Sequence, residues 1–186
     1  MFSSFGYSLA SVDLNGDGFK DLVVGAPFYG SQGAIYIYMN TKEHGIHAQH
    51  SQVFKIIGKK SEGRFGFSMS HAGDLNNDGF DDVVIGAPYD ENGKIFVYLG
   101  SKDFGQPEKP DQILKSEDLP VMGIKTFGYS LGGGYDLDLN NHSDIVVGAF
   151  ASDTAFVIRT RPVIDIATYF KVKYRAKLIS KFDSFR

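Results

Sequence analysis

The 186-residue chain contains no cysteine and no tryptophan. Without cysteine, no disulfide can staple these residues; an intracellular protein fits that, and so does a stretch of an extracellular one whose disulfides lie elsewhere. No apolar run approaches the roughly 20 residues of a membrane-spanning helix. No stretch carries convincing helical periodicity. Met1 is followed at once by Phe2-Ser3-Ser4-Phe5-Gly6, with neither the charged start nor the apolar segment of a secretion signal. Either the protein is not secreted or its true beginning lies upstream.

Aromatic residues and glycine are abundant, with 16 Phe, 10 Tyr and 22 Gly, a mix suited to many short strands joined by tight turns. The chain is long enough to bury one good core. The net charge of −3 conceals an asymmetry. Residues 167–186 carry six basic side chains (Lys171, Lys173, Arg175, Lys177, Lys181, Arg186) against Asp183, which leaves −8 on residues 1–166. Nine aspartates at positions 1, 3, 5 and 9 of three short loops more than account for that excess, and three bound divalent cations would offset most of it.

Those loops are one pattern met three times. Asp13-Leu14-Asn15-Gly16-Asp17-Gly18-Phe19-Lys20-Asp21 runs into Leu22-Val23-Val24-Gly25-Ala26-Pro27. Asp74-Leu75-Asn76-Asn77-Asp78-Gly79-Phe80-Asp81-Asp82 runs into Val83-Val84-Ile85-Gly86-Ala87-Pro88. A looser copy, Asp136-Leu137-Asp138-Leu139-Asn140-Asn141-His142-Ser143-Asp144, runs into Ile145-Val146-Val147-Gly148-Ala149-Phe150. The first aspartates stand 61 and then 62 residues apart, a period of repeat architectures. Each unit opens with Phe-Gly-aromatic-Ser (Phe5 to Ser8, Phe65 to Ser68, Phe127 to Ser130). A short strand, the Asp loop, a β-branched strand and an alternating third strand follow. A fourth strand, at Val53 to Ile57 and Gln112 to Leu114, closes the first two units; the third lacks an obvious counterpart.

Four antiparallel strands repeating at about sixty residues is a propeller-blade pattern. The absence of tryptophan disfavours the Trp-Asp type. The fold class expected is all-β: a partial ring of three four-stranded blades over 1–61, 62–123 and 124–161, the last incomplete. Residues 162–186 read as the short start of a following β domain or as a basic tail that does not fold.

A hard cation such as Ca²⁺ takes six to eight oxygens at about 2.3–2.6 Å. Loop positions 1, 3, 5 and 9 supply side-chain oxygens, and position 7 supplies a backbone carbonyl. The candidate ligands are Asp13, Asn15, Asp17, Phe19 and Asp21; Asp74, Asn76, Asp78, Phe80 and Asp82; and Asp136, Asp138, Asn140, His142 and Asp144. Gly18 and Gly79 at position 6 allow the sharp turn, and Asn141 takes that place in the third loop. The first half resembles an EF-hand loop, but position 12 is Val24, Ile85 and Val147 rather than a bidentate Glu, so an Asp at position 9 closes the loop as the next strand begins. Such runs are also ordinary turn composition; three copies in one register before the same strand favour three Ca²⁺ sites. No acid, base or nucleophile recurs beside them, so the role reads as structural, and no catalytic residue is assigned.

Other signals are weaker. Gly128-Tyr129-Ser130-Leu131-Gly132 matches the nucleophile-elbow pattern, yet Ser8 and Ser68 repeat it where no strand-to-helix turn is expected. His44, His47 and His50 stand three apart in a polar connection that reads as a solvated loop rather than a zinc site. Asn141-His142-Ser143 is a glycosylation sequon inside a cation loop, where modification is expected to compete with the loop's geometry. The basic tail reads as a solvated end, and no nucleic-acid partner is expected.

Phe-Gly, the Asp loop and Gly-Ala-Pro together form the FG-GAP pattern. Over about residues 5–162 the chain resembles the last three blades of the seven-bladed propeller of an integrin alpha subunit, and Arg161-Pro162-Val163 resembles the entry to the thigh domain that follows. Phe150 departs from the final Pro. The resemblance implies Ca²⁺ in the Asp loops and an integrin beta subunit as partner. It also implies an extracellular-matrix or cell-surface ligand, met mostly by parts outside these residues, and a place at the cell surface in a single-pass membrane protein. FG-GAP repeats serving as an accessory module of a secreted enzyme, such as a glycosylphosphatidylinositol-specific phospholipase D, or a soluble intracellular FG-GAP protein, are the competing readings.

Overall fold

A computed structural model describes residues 2–43, 45–47, 51–105, 107 and 109–161. The expected thigh-like start or basic tail over 162–186 lies outside them, as do His44 and His50.

The described residues form three antiparallel sheets, each a meander. The first orders β1 (Leu9–Val12), β2 (Asp21–Ala26), β3 (Ala34–Tyr38) and β4 (Val53–Ile57). The second orders β5 (Ser68–Gly73), β6 (Asp82–Ala87), β7 (Lys94–Tyr98) and β8 (Gln112–Lys115). The third holds β9 (Phe127–Tyr135), β10 (Asp144–Ala149) and β11 (Thr154–Ile158). Helical structure among these residues amounts to two three-residue 3₁₀ turns, Ser116–Asp118 and Phe150–Ser152. This is the all-β blade architecture that the repeat period predicts. One detail differs: β9 takes in Phe127-Gly128-Tyr129-Ser130, whereas in the other units the strand starts later. The longer pairing is reached through register shifts at both ends of its ladder with β10, the signature of bulges that let a strand continue past a turn.

The core lies between sheets rather than within one. Side chains alternate across a strand, and β6 is buried on both faces. Val83 and Ile85 face the first sheet, packing with Val12, Val23, Ile35 and Ile37. Val84 faces the third, with Ile95, Val97, Ile145 and Val147. Burying such branched side chains contributes about 1.5–3 kcal/mol each.

The repeat motif itself is a joint between neighbours. Ser8 Oγ donates to Gly66 O at 2.7 Å and Ser68 Oγ to Gly128 O at 2.6 Å. A Cβ at Gly25 would lie 2.3 Å from Gly66 O, and one at Gly86 2.3 Å from Gly128 O. The Gly of Gly-Ala-Pro is therefore needed so that the next unit's Phe-Gly can close on it. Ser130 sits within β9, so the nucleophile-elbow match is a strand signature without the elbow's turn. Phe65 and Phe127 are buried at 3% and 0% exposure, whereas Phe5 is 52% exposed; each ring packs on its own third strand, at Tyr36, Phe96 or Phe156. A preceding sheet covers the first two and nothing described covers Phe5.

Candidate metal centres

Each Asp loop links the first strand of its sheet to the second, so all three lie at one end of the sheets. Their hydrogen bonds repeat. The position-1 carboxylate accepts the N–H groups of positions 5 and 6: Asp13 from Asp17 (3.1 Å) and Gly18 (2.9 Å), Asp74 from Asp78 (3.1 Å) and Gly79 (2.7 Å), Asp136 from Asn140 (3.1 Å) and Asn141 (2.7 Å). The position-5 side chain accepts the N–H of position 7, at Phe19 (2.8 Å), Phe80 (3.0 Å) and His142 (2.8 Å). Position 6 has positive φ each time: Gly18 at 86°, Gly79 at 93°, Asn141 at 67°. These bonds curl each loop in the same way, and among the described residues the three loop carboxylates gather to metal-holding distance in the third loop but not in the first two.

Position 9 closes the loop from inside. Asp21, Asp82 and Asp144 are buried. One oxygen of each accepts the position-2 N–H, from Leu14 (3.0 Å), Leu75 (2.7 Å) or Leu137 (2.9 Å). The other accepts an N–H just after the third strand, from Asn40 (2.8 Å), Gly100 (2.9 Å) or Thr160 (3.1 Å). Burial pushes Asp21 up to about 6 and Asp82 up to about 7, against the pull of those N–H bonds and with repulsion from the loop's other aspartates adding to it. At Asp136 desolvation pulls upward too, but the N–H groups of Asn141 and Asn140 outweigh it and hold the carboxyl below its ordinary value. A divalent cation among these groups would relieve the strain of crowded carboxylates.

The donor set fits such an ion. In the third loop, carboxylate oxygens of Asp136, Asp138 and Asp144 lie within 4.8 Å of one another. In the first two, the position-3 amide nitrogen donates to the position-5 carboxylate, Asn15 to Asp17 at 3.2 Å and Asn76 to Asp78 at 2.8 Å. Asn76 Oδ1 is buried without a hydrogen-bond partner; turning that amide over presents the oxygen to the carboxylates. Oxygen-only donors, three of them carboxylates in each loop, suit Ca²⁺ rather than a softer metal.

Contacts between successive loops carry no signal in the linear sequence. Asp81, at position 8, forms an ion pair with Lys20, at position 8 of the preceding loop, and its Oδ2 lies 3.2 Å from His71 Nε2. The Asp81 N–H donates to Asp13 O at 3.3 Å. Desolvation raises the Asp81 carboxyl, but Lys20 and His71 outweigh it and hold it low. Position 7 of one loop also meets position 4 of the one before: a Cβ on Gly16 would come 2.8 Å from the Phe80 ring, and His142 Nε2 lies 3.5 Å from Asn77 Nδ2. His142 is buried, with Nδ1 3.3 Å from Leu75 O. The repeated spacing hinted at equivalence of the loops, but only the pairing of sheets brings them together.

The FG-GAP repeat family matches residues 5–38 and 65–98. The chain is 45% identical to integrin alpha-7 of Mus musculus over 179 residues, which cover 94% of this chain and 14% of that protein. It is 45% identical to integrin alpha-6 of Gallus gallus over 171 residues (88% of this chain, 15% of that protein), and 39% identical to integrin alpha-PS2 of Drosophila melanogaster over 197 residues (96% and 14%). The chain thus spans about one-seventh of the length of the curated relatives it matches.

Proposed function

Because the chain belongs to the integrin alpha family, we propose that it is the calcium-binding part of an integrin alpha propeller. The whole protein then serves as a cell-adhesion receptor for extracellular-matrix or cell-surface ligands, as an alpha–beta heterodimer. The segments 1–61, 62–123 and 124–161 are three successive blades, the last of the ring, and 162–186 is either the start of the following domain or a basic tail. The observation that carries this reading is the extent of likeness: the alignment with an integrin alpha chain takes in 94% of the chain, not the repeat alone. That favours a receptor over an accessory module of a secreted enzyme or an intracellular repeat protein, with no catalytic role for these residues.

Each loop holds one Ca²⁺ through positions 1, 3, 5 and 9 and the carbonyl of Phe19, Phe80 or His142. The ion's chemistry here is electrostatic: it would offset two of the three carboxylate charges in each loop. The protein supplies the rest. Positions 1 and 5 curve the backbone, position 9 pins the loop to the strand ends, and the inter-loop contacts align successive blades. Exposed Phe5 and the strand face beside it, with Leu9 59% and Val53 40% exposed, take a further blade. Labelling of surface proteins on intact source cells, followed by capture with an antibody to this chain, tests the reading. A labelled polypeptide several-fold longer than 186 residues, co-captured with a second membrane polypeptide, is expected; capture only from the unlabelled interior would overturn it.

A further inference from the structure

We infer that Asn141 is an N-glycan acceptor, and that the third loop carries the sugar without losing its cation-binding frame. Asn141-His142-Ser143 is the chain's only Asn-x-Ser/Thr sequence, which marks an acceptor in a secreted protein. Sequence position alone sets the two uses of the loop against each other, because the sequon lies amid candidate ligands. The geometry separates them. Asn141 stands at position 6, where the backbone is used and the side chain is not. Its N–H donates to Asp136 Oδ2 at 2.7 Å and its carbonyl accepts from Asn77 Nδ2 at 3.3 Å. The residue itself is exposed.

The other loops show where a side chain at this position goes. A Cβ built at Gly18 or Gly79 meets nothing within 4 Å, at φ values of 86° and 93° close to the 67° of Asn141. Position 6 therefore projects into solvent, away from the converging oxygens, and asparagine tolerates the positive φ better than most residues. A sugar chain on Asn141 Nδ2 displaces neither a ligand nor a hydrogen bond of the loop. In the transfer, the carboxamide nitrogen attacks the anomeric carbon of a polyprenyl-pyrophosphate-linked oligosaccharide. The N–C bond forms, the bond from that carbon to the phosphate oxygen breaks, the pyrophosphate lipid leaves with the electron pair, and the nitrogen gives up one proton. Ser143 supplies the hydroxyl that the sequon requires, before the chain folds.

The inference rests on the extracellular reading above, and the experiment separates the two. The 186-residue chain is sent into the secretory pathway behind an added signal sequence, and native protein is isolated in parallel. Peptide-N-glycosidase sensitivity and mass spectrometry of the tryptic peptide holding Asn141 are read in both. A one-glycan shift in both, lost in Asn141→Gln and in Ser143→Ala, is expected. No glycan in either overturns the acceptor and leaves the extracellular reading standing. A glycan on the directed chain but none on the native protein upholds Asn141 as an acceptor and overturns the extracellular reading. Calcium titration of the glycosylated chain should match that of the enzymatically deglycosylated chain; loss of one site on glycosylation would overturn the claim that the frame survives.

Discussion

In the first two loops an asparagine stands at position 3 and an aspartate at position 5; in the third the order is reversed. The backbone frame ignores the exchange, since Asp17, Asp78 and Asn140 all accept the position-7 N–H. The placement of charge does not. Asp136, Asp138 and Asp144 already converge within 4.8 Å, whereas Asn15 and Asn76 hold the position-5 carboxylate through their amide nitrogens. Arg159, 3.8 Å from Asp138, partly offsets the gathered charge of the third loop. Hydrogen bonds at positions 1, 5 and 9 thus set this turn, while which of positions 3 and 5 carries the charge decides how the carboxylates gather.

The shared frame is the half of this comparison whose breakage costs most. Asp82→Ala and Asp144→Ala each orphan two backbone N–H groups, Leu75 with Gly100 and Leu137 with Thr160. In calcium, each is expected to lose about 2–5 kcal/mol of stability by denaturant titration. A loss confined to one of the two would mean the loops do not share a frame. Chelation should come next: removing Ca²⁺ from 100 times its Kd forfeits about 2.7 kcal/mol per site, and a melting temperature indifferent to chelator would count against cation clasps.

Proton competition distinguishes the buried closing groups. In the cation-free chain, burial raises Asp82 to about 7 and Asp21 to about 6, above the ordinary 3.8. The contribution of a raised carboxyl is fully present below its ordinary value and is lost as pH rises through the folded value. Chelated protein should therefore gain stability from these groups as pH falls from 8 to 5.5, and Asp82→Asn should flatten that gain. Calcium affinity should fall over the same window. A chelated wild-type melting profile identical to that of Asp82→Asn would contradict the assignment.

The exchange of positions 3 and 5 can be transplanted. Asn15→Asp with Asp17→Asn gives the first loop the charge order of the third, and its cation should bind with a several-fold different affinity at unchanged stoichiometry. Smallest is the link between loops. Lys20→Ala removes a half-exposed ion pair with Asp81, worth up to about 1 kcal/mol. Paired calcium titrations should show the first and second sites less coupled, with the third unaffected.

Much of this architecture is written in the linear pattern. The β-branched runs after each loop became β2, β6 and β10, and the Asp/Asn spacing marked the three curled loops. What stayed hidden depends on how one sheet meets the next. Gly25 and Gly86 read only as part of the Gly-Ala-Pro strand end, yet their bare Cα faces the following Phe-Gly. Phe5 and Phe65 look equivalent in sequence but differ in burial because only the latter lies between sheets. Lys20 and Asp81 are 61 residues apart, and nothing local predicts their pairing. The outward direction of Asn141 follows from the positive φ at position 6, which spacing alone does not convey.

Three loops of one frame are each expected to clasp one calcium ion. Isothermal calorimetry of calcium into the chelated, dialysed chain tests it most directly, with Asp17→Ala plus Asp78→Ala measured beside the wild type. A stoichiometry of three is expected for the wild type and one for the double variant, the remaining site being that of Asp136, Asp138 and Asp144. Equal binding by the two proteins would contradict it.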